Sequence, residues 1–297
     1  MSVQHPLPAA AAASDQAEHE TFVSLRLSLA GSPWRLSGGW LLLAGFVAAA
    51  GRDTWRGPWL PVLLALALAE LVWGALWWQL APAHAWSLHR ARRRPALPYV
   101  QPASPAGRLL GWPEPGAAAA MVRAGLPLAA LAILLALPIG QAALLLTGLV
   151  LLTVLLGMAA GQAGLTGLAG WLQALIQAAL PFALGVALAG QWPPPQGAYL
   201  VGLGLGYTLL ARSMVPPSRQ SPSSRMADLL IAAGGFASIL VVLLATWQPL
   251  AAGVVGLLAV APLLLLARMD DQQQRTAQPW LLAAVMFSSA AVGFGIG

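Results

Sequence analysis

From about residue 37 onward the chain is a succession of apolar runs broken only by Arg, Pro, Gly and a few other polar residues. A helix needs about 20 apolar residues to cross a hydrocarbon core of roughly 30 Å. Divided at the breaks, the runs predict membrane helices at 37–51, 58–80, 122–139, 141–161, 167–190, 197–212, 226–246, 249–267 and 279–296. The first is short. The separation of the third from the fourth rests on Pro138, Gly140 and Gln141, so the count is nine, or eight if those two are continuous. Backbone groups in lipid must be satisfied within each segment, which rules out an open sheet. The expected fold class is therefore all-α, a polytopic membrane bundle of about nine transmembrane helices.

Residues 1–25 are Ala-rich and polar, with Asp15, Glu18 and Glu20. They lack the basic start and apolar run of a secretory signal and read as a disordered cytoplasmic tail ahead of a single transmembrane domain over 26–297. Phe22 to Trp40 alternates Leu and Val with Arg26, Trp34 and Arg35, the pattern of an interfacial segment.

Charge placement orients the bundle. Residues 81–121 hold Arg90, Arg92, Arg93, Arg94 and Arg108, residues 213–225 hold Arg219 and Arg225 with Arg212 at their edge, and 268–278 holds Arg268 and Arg275. Position 140 and residues 191–196 and 247–248, on the opposite side, carry no charge; only Arg52 and Arg56, against Asp53, depart from the pattern. By the bias of cytoplasmic loops toward Arg, the N-terminus lies in the cytoplasm and the C-terminus opposite, in the inner membrane of a prokaryote. Trp34, Trp55, Trp59, Trp112, Trp192, Trp247 and Trp280 fall near the predicted span ends, where amphipathic rings belong.

Composition agrees. The chain is 59% hydrophobic and only 8% charged, with a mean hydropathy of +0.74, whereas a soluble domain carries roughly 25% charged residues. Most of its exterior must therefore meet the lipid bilayer. The net charge of +6 comes from Arg scattered between apolar runs, which argues against nucleic acid as a partner. The absence of Cys excludes disulfides, thiolate metal sites and thiol nucleophiles.

Few residues carry candidate chemistry. Glu70 is the acid deep in a predicted span, and an ionisable group there marks a function by default. Trp73, Gly74 and Trp77 follow three, four and seven residues later, on the same helical face, and with Glu70 could line a pocket for a flat or isoprenoid ligand. A Glu bonded to a neighbouring helix is the plainer alternative. Gln173 and Gln177, with Gln162 nearby, could meet a quinone head group or bridge helices. His84 and His89 could ligate a pigment magnesium or haem iron, but their spacing suits a loop better. No P-loop, Ser-His-Asp set, zinc motif or selectivity filter is present.

Nine spans, a cytoplasmic N-terminus and long cytoplasmic loops after the second and sixth spans, with the stretch Arg92-Arg93-Arg94-Pro95-Ala96-Leu97-Pro98 and a fifth span punctuated from Gly185 to Gly190, resemble the UbiA superfamily of intramembrane prenyltransferases. The resemblance implies a helical bundle around an isoprenoid site, with a prenyl diphosphate held through Mg²⁺ by two Asp-rich motifs. Mg²⁺ asks for oxygen ligands, commonly carboxylates. The first motif would fall on Gln79, Ala83 and Ser87, or on Leu80, His84 and Leu88; the second on Arg212 to Arg219. Neither holds an acid, so no cofactor is evident, and Mg²⁺ belongs only if diphosphate chemistry is retained. Arg90, Arg92, Arg93, Arg94, Arg212 and Arg219 could clamp a phosphate by bidentate bonds or serve only as topogenic charges.

The expectation is a degenerate UbiA-like protein, non-catalytic or altered, that binds an isoprenoid, quinone or pigment in an intramembrane cavity. The alternatives are a structural subunit among partners in a photosynthetic or respiratory membrane complex and, behind it, a small-molecule transporter, for which no repeat of two halves is visible.

Overall fold

A computed structural model describes residues 36–52, 59–81, 121–190, 197–215, 222–268 and 271–295, and among them there is no strand. In chain order the helices are α1 (Gly38–Ala50), α2 (Trp59–Leu80), α3 (Leu126–Ala136, entered through the π turn Met121–Gly125), α4 (Gln141–Gln162) and α5 (Thr166–Leu188), followed by α6 (Gly197–Ser213), α7 (Pro222–Ala245), α8 (Pro249–Arg268) and α9 (Asp271–Gly295). Six helices among the described residues are long and apolar enough to cross a membrane: α2, α4, α5, α7, α8 and α9. They fit an integral membrane protein. α1 and α3 are shorter apolar helices, and α6 has 17 residues.

The helices end where the sequence withdraws backbone options. Between α3 and α4 the chain breaks at the Pro138–Gly140 stretch: Gly140 has φ 128° and ψ −177° as the N-cap of α4, a region essentially closed to side-chain-bearing residues. Short connections at 137–140, 163–165 and 246–248 force α3/α4, α4/α5 and α7/α8 to run antiparallel. One end of the bundle therefore carries the ends of α2, α4, α6 and α8 and the starts of α5, α7 and α9. Exposed Trp78, Trp171 and Trp280 lie toward this end, and Trp59 and Trp247 at the other. Large apolar side chains such as Leu145, Val201, Leu250 and Leu257 remain exposed on the outer faces, as a surface in lipid requires.

Two hydrophobic clusters flank a central pair of helices. α1 gives Leu41, Ala44 and Ala48 to the cluster shared with α6, α7, α8 and α9, and Leu42 and Phe46 to the cluster shared with α2, α3 and α4. α5 divides likewise, with Ala174, Ala178, Phe182 and Val186 on the first side and Ile176, Leu180 and Leu184 on the second. α1 is buried along most of its length, which makes it a core helix of the bundle.

Glycine sets how closely α1 packs. A Cβ on Gly45 would strike the carbonyl of Phe182, and one on Gly185 the carbonyl of Leu42. A Cβ on Gly293 of α9 would strike the carbonyl of Val47. These are backbone atoms, so no side-chain rotation relieves the overlap; small residues are what allow such approach in membranes.

α1 has 13 residues, about 20 Å of helix at 1.5 Å per residue, against the 22 residues of α4. Its C-terminal Gly51 meets Gly293, near the end of α9. At its start, Gly38 lies against Ala69 of α2 and Pro181 of α5, and Gly39 against Glu70, all well inside their helices. Thus the Gly38–Trp40 end of the expected interfacial segment lies inside the bundle at mid-depth. The rest of that segment and the tail lie outside the described residues.

Candidate functional site

α2 is not a regular helix. Trp59–Leu66 and Gly74–Leu80 are α-helical, but Ala67–Trp73 between them is π-helical, with Glu70 at its centre. A π segment inserts an extra residue into the turn and recurs at functional positions. Here it stands beside the start of α1, where the first amides have no helical carbonyl to meet. The α1 N-cap, Ser37, makes no side-chain bond to them. Instead Gly39 N–H donates to Glu70 Oε2 at 2.9 Å. A side-chain oxygen from another helix thus caps α1. Gly39 also leaves the space for this contact, since a Cβ there would come within 3.2 Å of Oε2.

The tryptophans of the same helix are buried. Trp73 is wholly buried in the cluster of α2, α3 and α4, and its indole Nε1–H has no acceptor. Trp77 fits against Gly157 of α4, where a Cβ would meet the indole ring at 2.6 Å. Gly74 faces open space. Glu70 thus reaches the start of α1, Trp73 lies in a core that α1 and α5 also enter, and Trp77 packs on α4. The π turn changes the register on which Glu70, Trp73 and Trp77 are expected to share a face. Gln173 precedes, and Gln177 falls within, a second π turn, Leu175–Ala179 of α5.

At the end of the bundle where α6 finishes, Arg212 lies in the last turn of that helix. Its Nη1 is 3.4 Å from Asp228 Oδ1 of α7, and its guanidinium stands 5.7 Å from the centre of the Trp171 ring of α5. Arg90, Arg92, Arg93, Arg94 and Arg219, with His84 and His89, lie outside the described residues.

One polar centre was not anticipated. Tyr207 of α6, fully buried, places its hydroxyl 2.8 Å from Ser288 Oγ and 2.7 Å from Ser289 Oγ, both on α9. Tyr207 O–H also reaches Val285 O at 3.1 Å and Ser288 donates to Ala284 O at 2.7 Å, so the three hydroxyls tie α6 to the backbone of α9. Phe182 meets the Tyr207 ring edge-on at 5.4 Å. The sequence signal was one of two Tyr residues in an apolar span, Tyr199 and Tyr207, with a Ser pair in another, too common to stand out. The Asp228 partner was legible only as an acid near the start of the span after Arg212.

Among the described residues no group of three or more His, Asp or Glu side chains gathers to hold a metal. The two loop positions where the UbiA resemblance would place Mg²⁺ ligands carry no carboxylate in the sequence, so the residues do not fit that ion. No family model matches the chain, and neither the curated proteins nor the solved structures include a match.

Proposed function

We propose that this is a UbiA-like membrane protein of nine membrane-embedded helices that holds an isoprenoid or similar lipid-like ligand, with Mg²⁺-assisted diphosphate chemistry lost or altered. The observation that supports it most is the central helix that stops at mid-depth, capped by Glu70. An ionisable side chain and a helix start at that depth are costly in lipid and are retained where a bundle does more than pack. The buried indole N–H of Trp73, three residues on and without an acceptor, adds a donor that a ligand carbonyl or hydroxyl would satisfy. The cytoplasmic orientation of the N-terminus belongs to the same reading and rests on the placement of Arg.

The test is photolabelling of the purified protein in lipid nanodiscs with a diazirine-bearing isoprenoid. Labelling concentrated on α2, α1 and α5, and reduced in Glu70→Leu, Trp73→Phe and Trp77→Ala, supports the reading. Labelling spread over the lipid-facing residues of α4 and α8, and unchanged in all three variants, sinks it.

A further inference from the structure

Among the described residues, Arg212 is held in place with little of its hydrogen-bonding capacity used. A guanidinium has five N–H donors in a planar fork, and charge-assisted bonds to a carboxylate ordinarily measure about 2.7–2.9 Å, often two in parallel. The Asp228 contact is a single one of 3.4 Å. Arg212 Nε–H is buried and has no acceptor among the described residues. The orientation of the fork is nevertheless fixed by two consecutive residues of α5. Trp171 lies beside its cation, and Gly170 leaves the room it occupies: a Cβ there would stand 3.1 Å from Cζ and Nε and 3.4 Å from Nη2. Both charged side chains are mostly buried, at 16% and 17% exposure, while Trp171 is 42% exposed toward the surroundings.

An ion pair built only to join α6 to α7 would close to two short bonds. Here the positioning comes from Gly170 and Trp171, and the carboxylate sits at the edge of the fork. We propose that Arg212 is a receiving site for a phosphate group at this end of the bundle, with Asp228 as a resting counter-ion that the phosphate displaces. Phosphate matches the planar fork and brings more acceptors to its Nη edge than the single carboxylate oxygen offers. The group is either a phospholipid headgroup or a free phosphate, and the site does not depend on the isoprenoid reading.

The experiment is native mass spectrometry of delipidated protein titrated with phosphatidylglycerol, with diacylglycerol as the phosphate-free control, and with inorganic pyrophosphate. Phosphatidylglycerol is expected to bind over diacylglycerol. Arg212→Gln should weaken it by about tenfold or more, the scale of losing bonds to a charged group. Asp228→Asn should strengthen it severalfold by removing the competitor. Pyrophosphate that binds and competes assigns the site to free phosphate; lipid binding untouched by pyrophosphate assigns it to a headgroup. Trp171→Leu, which keeps both charges, should also weaken binding and guards against a misfolded Asp228 variant. Equal retention of phosphatidylglycerol and diacylglycerol, or Asp228→Asn and Arg212→Gln both weakening binding, would overturn the proposal in favour of a structural ion pair.

Discussion

Glu70 Oε2 accepts the backbone N–H of Gly39 at 2.9 Å, so a side chain midway along one helix caps the start of another. The π turn that carries Glu70 and the glycine that receives it are two halves of one device, since a side chain at position 39 would crowd the carboxylate. Helix caps are usually supplied by the residue just before the helix. Here the cap comes across the interface, because water is not available at that depth.

Glu70→Gln retains an oxygen acceptor for Gly39, whereas Glu70→Leu leaves that amide unsatisfied. The Gln variant should stay within about 1 kcal/mol of wild type, and the Leu variant should lose about 1–3 kcal/mol. Denaturation with sodium dodecyl sulfate in mixed micelles reads both. A Leu variant more stable than the Gln variant would show that the cap contributes nothing.

Gly45→Ala and Gly185→Ala each press a methyl group onto the backbone of the facing helix. Overpacking of this kind costs about 1–3 kcal/mol, and the two changes should be less than additive because both separate the same pair of helices. Gly148→Ala, whose methyl would meet nothing within 4 Å, should be neutral. Thermal melting in detergent checks all three, and equal effects at Gly148 and Gly185 would refute the packing argument.

Tyr207→Phe removes the hydroxyl that joins α6 to α9 but keeps the ring against Phe182. Hydrogen bonds between membrane helices average about 0.6 kcal/mol and reach about 1.7. The loss should fall in that range, and Ser289→Ala in the Tyr207→Phe background should add little. A further loss of similar size would mean that Ser289 has a partner other than Tyr207.

The positions of the helices were readable because apolar length and Pro/Gly breaks are local properties. Gly140 ended one run and opened another as its neighbours Pro138 and Gln141 suggested. What could not be read was depth. Residues 37–51 look like a short span, and only their contacts with Ala69, Glu70 and Pro181 show a helix starting inside the bundle. For the site, Glu70 stood out as a solitary acid. Its direction did not, since the π turn alters the 3.6-residue register on which a shared face with Trp73 and Trp77 was argued. The pairing of Arg212 with Asp228, and of Tyr207 with Ser288 and Ser289, depends on tertiary neighbours that no spacing along the chain encodes.

Trp247 offers a test of backbone strain that is separable from side-chain loss. It closes α7 at the position where glycine is usual, with φ 58°, and its neighbours form the matching bonds: Gln248 N–H to Leu243 O at 2.9 Å and Trp247 N–H to Leu244 O at 3.1 Å. A left-handed conformation costs a side-chain-bearing residue roughly 1–2 kcal/mol. The ring is 91% exposed at the end of the bundle, where an amphipathic indole anchors a helix end in the interface. Trp247→Ala keeps the strain and loses the ring; Trp247→Gly loses both. The glycine variant should therefore be the more stable of the two by about 1 kcal/mol, in detergent and in nanodiscs alike. Both should fall further below wild type in nanodiscs, where the indole has an interface to hold. Equal stability of the Ala and Gly variants would mean that the turn relaxes out of the left-handed region once the ring is gone, and that the anchoring ring imposes the strained turn.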